Sequence, residues 1–242
     1  MLRIFSSVFI LIFSTFAFAS STLPANLNAS DRATALGILG FGSASKLLSS
    51  PYPMGGYSGV ELGFSSEYIP MADVATLGAK TNNRSDLNYF NLTVGKGLYY
   101  NIDLLVQFIP MPQDESVSGY GAQLRWGFFE ASFMPATLSF VINGSSTNFN
   151  NVLGTETTGA DLVGAVSMRD VSLFVGIGQA RTFGTFIGGT GGVTDSGNSE
   201  GADVSSAHTV FGVSVKMSQV FLAMEVDRYV QSTYAGKLGV RF

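Results

Sequence analysis

The sequence predicts an all-β fold: a transmembrane antiparallel β-barrel of about ten strands (eight to twelve), preceded by a cleaved signal peptide. Three observations carry that expectation. Only 12% of the 242 residues are charged, about half the share of an ordinary globular domain (roughly 25%), yet no apolar run after Phe18 approaches the ~18–20 residues of a spanning helix. Ten segments alternate apolar and polar residues with the period of two that a β-strand imposes. The connections between them are short on one rim and long on the other. In lipid, a chain without spanning helices satisfies its backbone groups only by closing a sheet on itself.

Taken in order, residues 1–19 read as a leader. Arg3 gives the positive start, Ile4 to Phe16 the apolar centre, and Ala17-Phe18-Ala19 the small-x-small cleavage pattern. Residues 20–57 form a separate unit before the barrel of 58–242. Within that unit 33–42 (ATALGILGFG) is apolar and glycine-rich, and 51–57 (PYPMGGY) is a stiff turn. This unit could be an extra strand, a lumen plug or a periplasmic lead-in; an even strand count favours the last two.

The ten segments are 58–69, 87–97, 101–109, 118–129, 132–143, 157–168, 171–182, 206–217, 220–230 and 234–242. One parity carries Val60, Leu62, Phe64 and Tyr68 in the first and Tyr120, Ala122, Leu124, Trp126 and Phe128 in the fourth. The other parity carries Glu61, Gly63, Ser65 and Glu67, then Gly121, Gln123, Arg125 and Gly127. Over all ten, about 40 of 45 positions are apolar on one face against about 10 of 42 on the other. With residue 242 at the periplasmic rim, the periplasmic turns fall at 98–100, 130–131, 169–170 and 218–219. The outer loops fall at 70–86, 110–117, 144–156, 184–205 and 231–233. Lys96, on the lipid parity near a strand end, is placed to snorkel to the interface.

The last nine residues, YAGKLGVRF, put Tyr234, Leu238, Val240 and Phe242 on one face, with Gly236 interrupting the row. On this pattern and the ten alternating segments, the chain from Ser20 onward resembles a Gram-negative outer-membrane β-barrel protein. In that superfamily a final strand of alternating apolar residues ending in an aromatic is the signal read by the insertion machinery. The resemblance therefore implies Tyr234, Leu238, Val240 and Phe242 as an assembly signal. It also implies the bacterial outer membrane as location, with its lipid and the barrel insertion machinery as partners. It carries over no functional residue.

Function then rests on the lumen and the loops. The inward parity carries the charged residues Glu61, Glu67, Asp103, Arg125, Asp161, His208, Lys216, Glu225, Asp227, Lys237 and Arg241, together with the rings of Tyr89, Phe129 and Phe174. Mixed signs are the ordinary way to fill a narrow lumen with ion pairs, and with a loop at 231–233 Asp227 faces Lys237 across the last hairpin. Small inward residues such as Gly63, Gly95, Gly121, Gly127, Gly178 and Gly212 keep a thin solute channel open as an alternative. His208, the one histidine, lies near Asp203, Ser205 and Ser206, so a barrel hydrolase is a third possibility, though no catalytic motif surrounds it. The reading adopted is no enzyme.

No cofactor and no metal is expected. There is no cysteine for a disulfide, a thiolate ligand or a lipid anchor. The run Gly188-Gly189-Thr190-Gly191-Gly192 lacks the Gly-Lys-Ser/Thr ending of a phosphate loop, and Asp195, Glu200 and Asp203 lack calcium-loop spacing. A net charge of about −5 once Arg3 is removed argues against nucleic acid. The expected function is a barrel with a narrow lumen presenting its loops (70–86, 144–156, 184–205) to an unknown extracellular ligand.

Overall fold

The computed structural model describes residues 23–110, 117–132 and 134–242; the leader at 1–19 and most of the loop at 110–117 lie outside the described residues. Among the described residues one α-helix, α1 (Ala29–Gly42), precedes ten strands: β1 (Val60–Pro70), β2 (Asp86–Gly97), β3 (Ile102–Phe108), β4 (Val117–Glu130), β5 (Ala136–Phe149), β6 (Leu153–Met168), β7 (Val171–Phe186), β8 (Glu200–Met217), β9 (Val220–Arg228) and β10 (Ser232–Arg241). Each strand pairs antiparallel with its sequence neighbours, and β1 pairs with β10, closing the barrel. The seam runs from Tyr68 opposite Tyr234 to Glu61 opposite Arg241. Val60 and Phe242 complete it by exchanging backbone bonds of 3.1 and 2.9 Å.

The alternation explains the closure. Along β1 the even-numbered Leu62, Phe64 and Tyr68 turn outward while Glu61, Ser65 and Glu67 are buried inside. Outward Val94, Phe140, Val175, Phe211 and Met224 continue an exposed apolar belt around the cylinder. In water such a belt would be unfavourable; in hydrocarbon it is the stable surface. Aromatic rings gather at both edges: Tyr57, Tyr99, Trp126 and Phe128 beside the short turns, Tyr68 and Tyr234 towards the other mouth.

The wall is uneven in height. β3 has 7 residues and β9 has 9, whereas β6 and β7 have 16 and β8 has 18. A 16-residue strand tilted by ~40° rises ~40 Å, well beyond an apolar band ~25 Å tall. The outward faces of β5 to β8 accordingly turn polar at their far ends, at Ser146, Thr158, Arg181 and Ser205. This corrects two expected loops. Residues 144–156 are mostly strand, leaving a turn at 150–152, and the loop expected at 184–205 shrinks to 187–199. Two positive-φ asparagines, Asn150 and Asn151, supply the backbone shape of a tight hairpin there.

Two further corrections come from local backbone chemistry. β5 starts at Ala136 rather than 132, since Pro135 has no N–H to give the ladder. Between Gly127 and Phe129 the β4–β5 register shifts by a bulge, so Phe129 pairs with outward Leu138 and is exposed instead of facing the lumen.

α1 begins at Asn28, whose side-chain oxygen accepts from the N–H groups of Ser30 and Asp31 at 2.9 and 3.0 Å. Its residues from Ala35 to Gly42 are all buried and apolar on every side, as an enclosed stretch of helix must be, whereas Ser30 and Thr34 in its first turns are exposed. Its surroundings are inward-facing wall residues. A Cβ on Gly40 would meet Thr182 Oγ1 at 2.3 Å, and one on Gly42 would meet Ile69 at 2.8 Å. The glycines that lower helix propensity thus let the helix press against the wall.

Candidate functional site

The candidate site is the lumen. Its contents enter from the mouth opposite the short turns. There Leu27 donates to the Val193 carbonyl at 2.7 Å and Ala79 donates to the Ala25 carbonyl at 2.8 Å, tying the start of the described chain between two loops. Arg32, buried beneath them, donates to the Leu27 carbonyl at 2.7 Å, to Asp195 at 3.0 Å and to Glu200. α1 descends from this cap, and residues 43–57 continue to the far mouth, where β1 begins.

Along that descent the wall grips the backbone of the inserted segment. Glu225 accepts from the N–H groups of Leu47 and Leu48 at 2.9 and 2.6 Å. Asp103 accepts from the Met54 N–H at 3.1 Å. Arg125 donates to Ser49 Oγ at 2.6 Å and to the Leu47 carbonyl, and Ser139 donates to the Pro51 carbonyl at 3.0 Å. Gln123 reaches Ser45 Oγ at 2.8 Å and the Lys46 carbonyl. An irregular segment carries unpaired peptide groups, and these side chains satisfy them where water is excluded.

The sequence-level candidates occupy distinct places in this arrangement. Glu61 takes Lys237 at 2.6 Å and Arg241 at 2.5 Å, bridging the seam. Glu67 accepts from Tyr89 at 2.7 Å and Asn91 at 2.5 Å. His208 holds Asp161 on Nδ1 at 2.6 Å and Asp227 on Nε2 at 2.9 Å. Lys216 has the inward parity but sits exposed at the mouth beside the short turns. Asp227 does not face Lys237: the hairpin turn falls at 229–231, placing Thr233 opposite Asp227 and Ala223 opposite Lys237. Asp203 and Ser205 point outward, and Asp203 pairs with Arg181 at 2.9 Å, so neither serves His208.

The reach from His208 to Asp161 depends on a glycine. Across the wall Asp161 pairs with Gly178 and Gly178 with His208, so the two side chains are separated by the whole width of β7. A Cβ on Gly178 would lie 2.2 Å from Asp161 Oδ1. The missing side chain opens the gap that the imidazole and carboxylate fill. Tyr229 stacks on His208 with centroids 4.1 Å apart, and Phe41 of α1 stacks on Tyr229 at 5.0 Å, joining wall and helix. Tyr229, Arg32 and Lys46 were not singled out from sequence, and Gln123 was placed inward by parity without a role. The available signal was two charges, Arg32 and Lys46, bordering a stretch otherwise free of them.

This geometry has chemical consequences. Both ring nitrogens of His208 are occupied by carboxylates, which leaves no lone pair for a substrate proton. The inward glycines are sockets. Positions that a Cβ would take lie 2.1 Å from Lys237 Cε at Gly63, 2.7 Å from Pro53 at Gly127, 2.1 Å from Phe174 at Gly212 and 2.5 Å from Leu36 at Gly184. The space they vacate is already occupied by long side chains and by the inserted segment. Replacing His208 by leucine should therefore strand two buried carboxylates face to face. A loss of about 3–5 kcal/mol in urea unfolding is expected, with most of it recovered when Asp161→Asn and Asp227→Asn are added. An unchanged midpoint for His208→Leu would show that the network bears no load.

No protein-family profile and no curated protein sequence matches the chain. Solved structures do resemble it in part. The N-terminal β-barrel domain of Pseudomonas aeruginosa OprF superposes with a TM-score of 0.41 at 12% identity, over 77% of this chain and 99% of that one. The attachment invasion locus protein Ail of Yersinia pestis, solved with the heparin analogue sucrose octasulfate, gives 0.31 at 16% identity over 76% and 97%. OmpT, an outer membrane protein of Vibrio cholerae, gives 0.31 at 12% identity over 91% and 74%. Likeness at this level says nothing of ligand or role, and the barrel rests on the strand pairing of this chain alone.

Proposed function

We propose that this chain is an integral protein of the bacterial outer membrane, a barrel with a closed lumen that acts through its outer surface rather than by transport or catalysis. The observation that supports it best is the occupied lumen. α1 and residues 43–57 run from mouth to mouth, held by Glu225, Asp103, Arg125 and Ser139. The apolar belt suits lipid, and the alternating outward row of β10 suits the insertion machinery. The short turns belong on the periplasmic side. The tall hairpins β5–β6 and β7–β8, with polar outward faces above the belt, are then the surface offered to an extracellular ligand.

Purified protein reconstituted in planar bilayers should show little or no steady conductance, because a cylinder of ten strands has little room beyond its own side chains. Large, stable openings in the intact protein would overturn the closed-lumen reading in favour of a solute channel.

A further inference from the structure

We propose that the lumen mouth beside the short turns is a binding site for a phosphate group, built from Arg169, Lys216 and Arg241. These three bases line one pocket of about 340 Å³, together with the hydroxyl-bearing Ser172 and Ser214 and the ring of Phe221. Nothing in the lumen network uses their full capacity. Lys216 and Arg169 are exposed and have no ion-pair or hydrogen-bond partner for their side chains among the described residues. Arg241 spends Nε and Nη2 on Glu61, at 3.0 and 2.5 Å, and its Nη1 has no partner among the described residues.

The placement is specific. Around His208 and along the seam, charges of opposite sign meet, and Arg241 shares Glu61 with Lys237. The other two cations of this pocket, Arg169 and Lys216, have only one acidic side chain beside them among the lining residues, Asp170, and it forms no ion pair with either. Arg169 also sits at φ +56, a left-handed backbone that glycine or asparagine adopts more readily. In that conformation it occupies the two-residue turn at the pocket rim. A compact ligand with several acceptor oxygens suits the set, since a guanidinium binds a phosphate through parallel N–H bonds and lysine adds a point charge. Tyr52 of the inserted segment and Phe221 of β9 add aromatic surface to the pocket lining. A phosphate ester could arrive from solution or from a lipid headgroup at the adjacent membrane edge, where Phe242 is exposed.

Binding can be measured by titration calorimetry on the whole folded protein in phosphate-free detergent, with pyrophosphate in one arm and a short-chain phosphatidylglycerol in the other. Saturable binding of at least one probe is expected, weakened about tenfold by Lys216→Gln and further by adding Arg169→Gln. Lys80→Gln, in an outer loop, should change nothing. Preferential binding of the phospholipid assigns a headgroup, and preferential binding of pyrophosphate a soluble ligand. Absence of saturable binding of both, or equal weakening by Lys80→Gln, would overturn the proposal. Heat-modifiable mobility of each variant confirms that it is folded; Arg241 is left intact because Glu61 depends on it.

Discussion

Glu61→Leu is expected to abolish most of the folded, heat-modifiable form of the protein. Glu61 is fully buried and, among the described residues, is the one carboxylate that holds both Lys237, itself almost fully buried, and Arg241. Removing it leaves two cations side by side where water reaches poorly. Breaking one partner of a buried pair typically costs about 3–5 kcal/mol, a large part of the ~5–15 kcal/mol that stabilises an ordinary domain. The position raises the effect further, because Glu61 lies on β1 and both bases lie on β10, so the interaction closes the barrel. Adding Lys237→Met and Arg241→Met should restore much of the folded fraction. Unfolding midpoints in urea decide the matter: a Glu61→Leu midpoint within error of wild type would mean that backbone pairing alone holds the seam.

The second large effect is expected at Phe242, and it concerns insertion. Phe242 is exposed on the lipid side, at the end of the outward row of Tyr234, Leu238 and Val240. A charge near the interface costs only about 0–1 kcal/mol, so Phe242→Asp should leave the stability of already folded protein nearly intact. If the row is read by the insertion machinery, the folded fraction in outer-membrane preparations should nonetheless drop severalfold. The same change at Arg241 would be a poor control, because aspartate there would face Glu61 and leave it with Lys237 alone. Tyr120→Asp, an exposed outward position of β4 towards the other rim, is the sounder control. Equal folded fractions for Phe242→Asp and Tyr120→Asp would remove the reason to regard the last strand as a signal.

The strands were legible because a period of two is a property of neighbouring residues, readable without knowing which strand pairs with which. Their ends were less so. Ser146, Glu156 and Asp203 look like loop residues since a strand that leaves the apolar belt has no reason to alternate in hydropathy. α1 was hidden for the opposite reason: glycine lowers helix propensity, and only enclosure by the wall outweighs that. The inward side of the charged residues followed from parity, but their partners did not. Asp161 and His208 are two strands apart, and their contact depends on lateral register and on the gap at Gly178. The bulge at Phe129 similarly reverses one side chain without any break in the local pattern.

The path of residues 23–57 also constrains the order in which the molecule can be made. A helix is ~10 Å across with its side chains, and this one lies in a cylinder whose sockets close around Leu36, Pro53 and Lys237. Once β1 has met β10 there is no lateral way in, and end-on entry would have to pass the side chains that grip residues 47–54. The segment preceding β1 is therefore expected to lie within the curling sheet before the last strand arrives. The wall would then assemble on the inserted segment as a mandrel, with the Glu61 seam as the final stitch around it.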